Sequence, residues 1–257
     1  MVNFELSPEK VVAVTGGNSG IGRSIVEGFL SNGNKVISID INNNFEEKDK
    51  NKNLYFIKSD LSKPDVCKDI IELIKERYGK LDILINNAGF QYVSPIEDFP
   101  DEISEKMMNL MLRTPYLLSK YSIPVMKNNG WGRIINMASI HGLVASLYKS
   151  AYITVKHGLV GLTRAVALES AQFGITCNAI APTYVKTSLV DNQIKSQANY
   201  THVSEDKIIS DVLMKDSPIK RLLEPNEVTN MVLYLSSDLA RSINGSVITI
   251  DYGYTSK

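Results

Sequence analysis

Short apolar runs alternate along the chain with longer stretches of helical spacing. The runs rich in β-branched residues predict strands at Lys10–Thr15, Lys35–Asp40, Leu54–Ser59, Leu81–Ile85, Arg133–Ala138, Thr176–Ile180 and Ser246–Ile250. Apolar residues three and four apart predict helices from about Gly22 to Asn32, and at Asp101–Lys127, Ser150–Phe173 and Pro225–Ser236. Such alternation, without internal repeats, predicts an α/β fold with a parallel sheet covered by helices on both faces.

Two stretches interrupt this alternation. Asn42–Asn53 is polar and predicts a surface loop, whereas Thr187–Ser217 carries amphipathic pieces at Leu189–Gln197 and Glu205–Met214. A long insertion at the carboxyl side of a strand is suited to a lid that excludes water. We therefore expect one domain over residues 1–257, with a helical substrate lid at about 187–217.

Composition restricts the class of partner. A chain of 257 residues with 44% hydrophobic content can bury a large core. Its 28 acidic and 28 basic residues leave no basic face for nucleic acid and no attraction to an anionic membrane. No apolar run approaches about 18 residues, and the first ten residues contain no apolar export signal. We expect a cytoplasmic protein whose partners are small molecules or copies of itself.

The cysteines and histidines give no sign of a metal site. Cys67 and Cys177 lie far apart in the sequence and have no metal-ligand residues beside them, so we expect reduced structural thiols. The three histidines are His141, His157 and His202, too few and too scattered to predict a metal cluster.

A glycine-rich turn follows the first predicted strand. Gly16, Gly20 and Gly22 stand where that strand leads into a helix, so backbone N–H groups could approach a pyrophosphate without a Cβ in the way. A plain glycine turn would have the same residues. The strand, turn and helix context favours a dinucleotide site.

Polar residues end the next strands. Asp40 lies eighteen positions beyond Gly22, where a carboxylate can accept hydrogen bonds from ribose hydroxyls and repel a 2′-phosphate. Asp40 could be a simple turn residue, but residues 16–22 contain no Lys or Arg to neutralise an extra phosphate, which favours NAD over NADP. Asp60 is either an adenine contact or a helix N-cap or turn residue. Asn86–Gly89 belongs to the ligand crevice of an open sheet.

Tyr152 and Lys156 are one helical turn apart, and Ser139 precedes Tyr152 by thirteen residues. On a helix, the phenol and the ammonium would share one face. A nearby cation lowers the pKa of a phenol, so Tyr152 could exchange a proton near neutrality while Ser139 holds the substrate oxygen. A Tyr and a Lys at this spacing usually decorate a solvated helix, so their catalytic interpretation depends on the other motifs.

Five ordered motifs resemble those of the short-chain dehydrogenase/reductase family over almost the whole chain: Thr15-Gly16-x-x-x-Gly20-Ile21-Gly22, Asn86-Asn87-Ala88-Gly89, Ser139, Tyr152-x-x-x-Lys156 and the Pro182 segment. The resemblance implies a Rossmann-type, doubly wound sheet and hydride transfer between a nicotinamide cofactor and a carbinol carbon. It implies that Asn109 joins Ser139, Tyr152 and Lys156 in a catalytic tetrad, although a helical Asn is more often a capping or packing residue. The implied cofactor contacts are Gly16, Asn18, Ser19, Gly20, Ile21, Gly22, Asp40, Asp60, Leu61, Asn87, Ala88, Gly89, Tyr152, Lys156, Pro182, Val185 and Thr187.

Four further polar residues are expected around the tetrad: Gln91, His141, Lys149 and Gln193. His141 and Lys149 lie within three positions of Ser139 and Tyr152, so both should project toward one mouth. A Lys, a His and two amides are suited to a small carboxylate with a hydroxyl or ketone nearby. Taken singly, His141 could cap a turn, and Lys149 and Gln193 could be solvated surface residues.

Within the family, these four positions match residues that bind the substrate carboxylate in dehydrogenases of a short 3-hydroxy acid. The resemblance thus implies NAD-dependent oxidation of such an acid, with Ser139 and Tyr152 also contacting the substrate, in a homotetramer built on the helices at Asp101–Lys127 and Ser150–Phe173. Two alternatives remain open: a family member acting on a neutral sugar alcohol or ring ketone, and a non-catalytic NAD-sensing protein.

Two segments depart from the family pattern. Pro182-Thr183 replaces the usual Pro-Gly, which we expect to stiffen the nicotinamide loop. Asp251-Tyr252-Gly253-Tyr254 replaces the terminal Asp-Gly-Gly-Trp, where the family's Trp reaches a neighbouring subunit. Tyr254 fills less volume than that Trp and adds a hydroxyl, which bears on oligomer contacts and substrate fit.

Overall fold

The computed structural model describes residues 7–43, 45, 51–188, 190–191, 194–195, 198 and 203–256. Seven strands form one sheet: β1 Val11–Thr15, β2 Lys35–Asp40, β3 Leu54–Lys58, β4 Ile83–Asn86, β5 Gly132–Met137, β6 Ile175–Pro182 and β7 Val247–Ile250. Their order is β3-β2-β1-β4-β5-β6-β7, and every neighbouring pair is parallel. The order reverses between β1 and β4, which is where an open parallel sheet leaves a ligand crevice.

Helices cover both faces of the sheet: α1 Gly20–Ser31, α2 Cys67–Tyr78, α3 Asp101–Met108, α4 Thr114–Asn128, α5 Ser150–Ser170 and α6 Pro225–Ser236. Successive residues of β1 show how the two layers form. Val12 and Val14 pack into a core with Phe29 of α1 and Val232 of α6. The intervening Ala13 packs with residues of α2, α4 and α5. Because both faces are covered, the strands read as continuous apolar runs rather than as alternating ones.

The predicted fold class is confirmed. The bounds predicted for β2 and α6 agree with the structure, and the other predicted strands differ from it by one or two residues at one or both ends. Both cysteines are free and buried, and burial raises the pKa of Cys67 to about 11 and also raises that of Cys177. Within the described ranges, no helix has the length and apolar character needed to cross a membrane.

Two helix predictions need correction. The helix expected over Asp101–Lys127 is interrupted by a π turn at Asn109–Arg113, and the one expected over Ser150–Phe173 changes to a 3₁₀ turn at Ala171–Phe173. Helix α2 was not predicted, although its four buried residues, Cys67, Ile70, Ile71 and Ile74, have the spacing of one face of an amphipathic helix. Gly79, which ends α2 at φ 72°, is the C-terminal signal that could have identified it.

The loop and lid predictions can be checked in part. Residues 44 and 46–50 of the predicted loop lie outside the described residues, as do several of the first lid piece, Leu189–Gln197. Residues 188, 190, 191, 194, 195 and 198 are helical. The second lid piece, Glu205–Met214, is a single helical turn at Glu205–Lys207 that continues into a π turn at Ile208–Leu213.

Candidate active site

A cavity of about 500 Å³ opens at the carboxyl ends of the central strands. Most of the predicted site residues line it: Gly16, Ser19, Gly20, Ile21, Gly22, Asp40, Asp60, Leu61, Asn87, Ala88, Gly89, Gln91, Ser139, His141, Tyr152, Lys156, Pro182, Val185 and Thr187. Asn18, Asn109 and Lys149 do not line this cavity, and Gln193 lies outside the described residues. The fold thus gathers residues from the whole length of the chain at one edge of the sheet.

The glycine turn packs closely against the end of β4. Gly16 has φ 64°, and a Cβ there would lie 2.9 Å from the Ala88 Cα. Thr15 Oγ1 accepts hydrogen bonds from the backbone N–H groups of Asn87, at 2.9 Å, and Ala88, at 3.0 Å. These contacts fix the turn, so that the N-terminal end of α1 faces the cavity, where its N–H groups and dipole favour an anion.

Asp40 stands at the edge of the cavity, held in a polar network. Its carboxylate accepts hydrogen bonds from the backbone N–H groups of Asn18, at 3.1 Å, and Asn42, at 3.3 Å. The Asn18 side chain is buried and accepts a hydrogen bond from Ser38 Oγ at 2.8 Å. Asn18 therefore positions Asp40 and does not face the cavity itself. Its predicted direct contact with the cofactor has no support in this geometry.

Asp60 has the turn geometry that was one of its two interpretations. Its Oδ1 accepts hydrogen bonds from the Ser62 backbone N–H, at 3.1 Å, and from the Ser62 hydroxyl, at 2.7 Å. The hydroxyl contact is the main reason that the pKa of Asp60 is lowered. Asp60 also lines the cavity, so an adenine contact stays a prediction.

Ser139, Tyr152 and Lys156 meet at the inner end of the cavity. Ser139 follows β5, and its hydroxyl is close enough to the Tyr152 phenol of α5 to favour a lower pKa of that phenol. Lys156 Nζ lies 5.5 Å from the Tyr152 ring centroid and donates a 2.6 Å hydrogen bond to the Met137 carbonyl. The spacing of the two residues on a helix therefore has the predicted result, a phenol and a buried amine on one face.

The predicted effect of Lys156 on Tyr152 is wrong in this structure. Burial raises the pKa of Tyr152 to about 12, and the hydrogen bond to Ser139 only partly opposes this rise. Burial also lowers the pKa of Lys156 to about 7. Loss of solvation is the largest cause of both pKa shifts. At neutral pH Tyr152 keeps its proton and can donate it to a carbonyl oxygen.

Lys149 is buried, not at the surface. It immediately precedes α5 and is only 6% exposed. The residue before it, Tyr148, has φ 64°, which bulky side chains rarely adopt, and its carbonyl accepts a 3.0 Å hydrogen bond from the Ser94 backbone N–H. Such strained turns cluster at functional sites. The surface interpretation of Lys149 is therefore excluded.

The Lys149 ammonium has neutral partners. Its Nζ lies 3.2 Å from His141 Nε2 and donates a 3.0 Å hydrogen bond to the Tyr184 hydroxyl. Burial lowers the pKa of Lys149 to about 8, whereas burial and the Lys149 charge lower the pKa of His141 to about 4. At neutral pH the lysine is mostly charged and the imidazole is neutral. Among the described residues, no carboxylate lies within ion-pair distance of Lys149.

Three residues that line the cavity have buried polar atoms without a hydrogen-bond partner in the described structure: Gln91 Nε2, His141 Nδ1 and Thr183 Oγ1. Native proteins leave few such groups unpaired. Because Nε2 of neutral His141 faces an ammonium, which can only donate, we assign the proton to Nδ1. Residues that line the cavity therefore carry two unused N–H donor groups, and the Thr183 hydroxyl can act as donor or acceptor.

Two residues of the cavity, Thr183 and Tyr184, were not identified as site residues from the sequence. Thr183 was noted only as a departure from the family pattern, and Tyr184 was not considered, although both line the cavity. Their position directly after Pro182, where β6 ends at the crevice, was the available signal. Asn109 begins the π turn between α3 and α4 and is half-buried. π turns are frequent at functional sites, but the role of Asn109 in the tetrad stays a prediction.

Part of the predicted lid covers the cavity. Ser188 and Val190 line it, while Ile194, Ile208 and Met214 form a buried apolar cluster against which Tyr184 packs. This cluster is separate from the two cores that flank the sheet. The packing suits a lid, and movement of the segment stays a prediction.

The switch-point crevice, the glycine turn and the Ser, Tyr and Lys group define an oxidoreductase that uses a nicotinamide cofactor. A family model with the description "Enoyl-(Acyl carrier protein) reductase" matches residues 16–255. The chain belongs to the short-chain dehydrogenase/reductase family, as its motifs predicted.

Relatives of known name act on different alcohols. The chain is 38% identical over 260 residues to the D-beta-hydroxybutyrate dehydrogenase of Rhizobium meliloti (strain 1021), covering 96% of this chain and 99% of that protein. It is 35% identical over 258 residues to the enzyme of the same name from Cupriavidus necator, covering 96% and 98%. It is also 34% identical over 252 residues to the NAD-dependent glycerol dehydrogenase of Listeria innocua serovar 6a, covering 97% and 95%.

A solved structure has the same architecture. The aldohexose dehydrogenase of Thermoplasma acidophilum superimposes with a TM-score of 0.87 at 32% sequence identity, covering 97% of this chain and 95% of that one. The family and the fold are thus established, while the relatives differ in their substrates.

Proposed function

We propose that this protein is an NAD-dependent D-3-hydroxybutyrate dehydrogenase, which interconverts (R)-3-hydroxybutyrate and acetoacetate. The observation that carries the proposal is Lys149, a buried ammonium without a carboxylate partner among the described residues. A buried charge is costly unless it is paired, so a carboxylate in the ligand is the partner that best suits this site. The names of the two relatives from Rhizobium meliloti and Cupriavidus necator support the same substrate.

The residues present fit a nicotinamide dinucleotide. Gly16 and Gly20 have positive φ beside the N-terminal end of α1, which provides N–H groups for a pyrophosphate. Asp40 is fixed with its carboxylate at the cavity edge, and the neighbouring lining residues, Ile39, Ile41 and Ser59 to Ser62, carry no cation. A 2′-phosphate would meet that carboxylate without a counter-charge, which supports NAD over NADP. When bound, the cofactor accepts or supplies the hydride.

The protein's own residues hold the substrate and move the proton. Ser139 and Tyr152 contact the substrate hydroxyl or carbonyl oxygen. In reduction Tyr152 passes its proton to that oxygen and regains one from solvent, and in oxidation its phenolate form takes the hydroxyl proton and releases it to solvent. Lys156 lies beside the phenol and is the cation available to a ribose hydroxyl. Gln91, His141 and Lys149 provide donors for the carboxylate, and Gln193 joins them as a predicted contact from the lid.

Assembly as a homotetramer in the cytoplasm is part of this proposal, with a role in ketone-body metabolism. Helices α4 and α5 leave large apolar side chains at the surface, such as Tyr116, which is 54% exposed, and Leu168, which is 83% exposed. Exposed side chains of this type on neighbouring helices suit a self-complementary contact.

NADH formation, followed by absorbance, tests the proposal. The purified protein should oxidise (R)-3-hydroxybutyrate with NAD far better than the (S) enantiomer, glycerol, cyclohexanol or aldohexoses. Preferred turnover of a neutral alcohol would favour the second candidate, a neutral-alcohol dehydrogenase, for which the glycerol dehydrogenase relative is the support. A protein that binds NAD but turns over none of these compounds would be the non-catalytic alternative.

A further inference from the structure

Tyr184 connects the predicted lid with the buried lysine. Its ring packs against the apolar cluster formed by Ile194, Ile208 and Met214, and its hydroxyl lies 3.0 Å from Lys149 Nζ. The ammonium is 5.1 Å from the centre of the Tyr184 ring. The short contact is therefore with the hydroxyl oxygen and not with the ring face.

The direction of this hydrogen bond leaves the phenol proton unused. An ammonium has only donors, so Lys149 must donate and the Tyr184 oxygen must accept. Lys149 is the one hydrogen-bond partner of the Tyr184 hydroxyl in the described part of the chain. Burial raises the pKa of Tyr184, so the hydroxyl keeps its proton at neutral pH.

The unused proton belongs to a side chain that lines the cavity near the reacting group. Tyr184 is close enough to Tyr152 to contribute to the raised pKa of the latter. The Lys149 ammonium polarises the Tyr184 hydroxyl, because a phenol that accepts a hydrogen bond from a cation becomes a stronger donor. An anionic oxygen in the cavity is the acceptor best matched to such a donor.

We propose that Tyr184 is a substrate-positioning residue that donates a hydrogen bond to the substrate carboxylate while its oxygen accepts one from Lys149. The inference rests on the proposed hydroxy-acid substrate. Tyr184 would then bind the carboxylate from the lid side of the cavity. Selectivity for an acid over a neutral analogue would depend on the Tyr184 hydroxyl as well as on the Lys149 charge.

Tyr184→Phe tests this role because it removes the hydroxyl and keeps the ring in the apolar cluster. A hydrogen bond to a charged group is strong, so we expect the KM for (R)-3-hydroxybutyrate to rise about tenfold or more, with kcat within about twofold of the wild type. The KM for the methyl ester should change by less than about twofold. Tyr55→Phe is the matched control, because the Tyr55 ring packs on Arg77 of the distant α2 and should leave both KM values unchanged.

The outcomes separate this inference from the proposed function. Wild-type turnover of the acid with an unchanged KM in Tyr184→Phe would overturn the inference alone, and so would equal losses for acid and ester. Absence of turnover by the wild type would overturn the proposed function as well.

A second measurement applies even if Tyr184→Phe folds poorly. Replacement of Tyr184 by 3-fluorotyrosine preserves the hydroxyl and nearly preserves the shape of the side chain. The ¹⁹F resonance should shift when (R)-3-hydroxybutyrate is added to the NADH-bound protein, and the shift should be much smaller with the ester. A resonance that does not respond to the acid, in a protein that turns it over, would overturn the role of Tyr184.

Discussion

Replacement of Lys149 by Met should produce opposite effects on activity and on stability. Met has a similar length and no charge, so the change removes the ammonium and leaves most of the packing. A substrate carboxylate in the cavity would then lack its counter-charge. Breaking a buried charge pair costs about 2 to 5 kcal/mol, so kcat/KM for (R)-3-hydroxybutyrate should fall by about 10²-fold or more.

The stability effect follows from the lowered pKa of Lys149. A folded-state pKa of about 8 against 10.5 means that burying the charged lysine costs about 3 kcal/mol below pH 8, and this cost disappears as the pH rises toward 10.5. The change to Met also removes the hydrogen bonds to His141 and Tyr184, a loss of about 1 kcal/mol each that offsets part of the gain. Lys149→Met should therefore leave the free energy of unfolding at pH 7 unchanged or higher.

Steady-state kinetics with the acid and its methyl ester, together with urea unfolding at pH 7, measure both effects. Lys186→Met is the matched control, because Lys186 lies two residues beyond Tyr184 and is exposed, and neither quantity should change. An equal loss of kcat/KM for acid and ester would refute the role of Lys149 as the carboxylate's partner. A loss of several kcal/mol in stability would show that the lysine supports the fold instead.

Three further predictions concern the cofactor, the proton and the assembly. NAD should be preferred over NADP by at least about tenfold in kcat/KM, equivalent to about 1.4 kcal/mol, and Asp40→Ser should narrow this gap; comparable values in the wild type would contradict the role of Asp40. Tyr152→Phe should lower kcat by about 10²-fold or more while calorimetry still detects NAD binding, and near-normal turnover would exclude Tyr152 as the proton donor. Light scattering at micromolar concentration should give the mass of a tetramer, and a monomer would rule out assembly through α4 and α5.

The pattern of apolar residues predicted the fold because strands buried on both faces of the sheet are continuous apolar runs in the sequence. Strands such as β1 consist almost wholly of apolar residues, and the turns between the elements contain glycine or polar residues. Helix α2 was missed although Cys67, Ile70, Ile71 and Ile74 follow the spacing of a helix face, so the signal was present in the sequence. The π turn at Asn109–Arg113 was missed because one extra residue in a helical turn barely changes the apolar spacing.

The sequence predicted which residues lie in the site better than it predicted the pKa values of those residues. Topology brings strand ends together, so residues as distant as Gly16 and Tyr152 could be placed in one cavity. Spacing could not give the pKa of Tyr152, because the low dielectric around it comes from residues elsewhere in the sequence. Tyr184 was not predicted for a related reason. Its role depends on the hydrogen bond from Lys149, whose side chain reaches it from another loop.

The two buried lysines of the site show what a protein can gain from burying an amine without an acidic partner, although burial of the charge is costly. Lys156 is held by the Met137 carbonyl, and Lys149 by a neutral imidazole and a phenol, so neither ammonium has an acidic partner among the described residues. A protein carboxylate beside either one would relieve the cost of burial, but it would also occupy the position that an anionic or electron-rich ligand needs. The unpaired charge of the lysine is thus available to bind an anionic ligand. Stability and affinity should therefore change in opposite directions whenever Lys149 is given a partner or is removed.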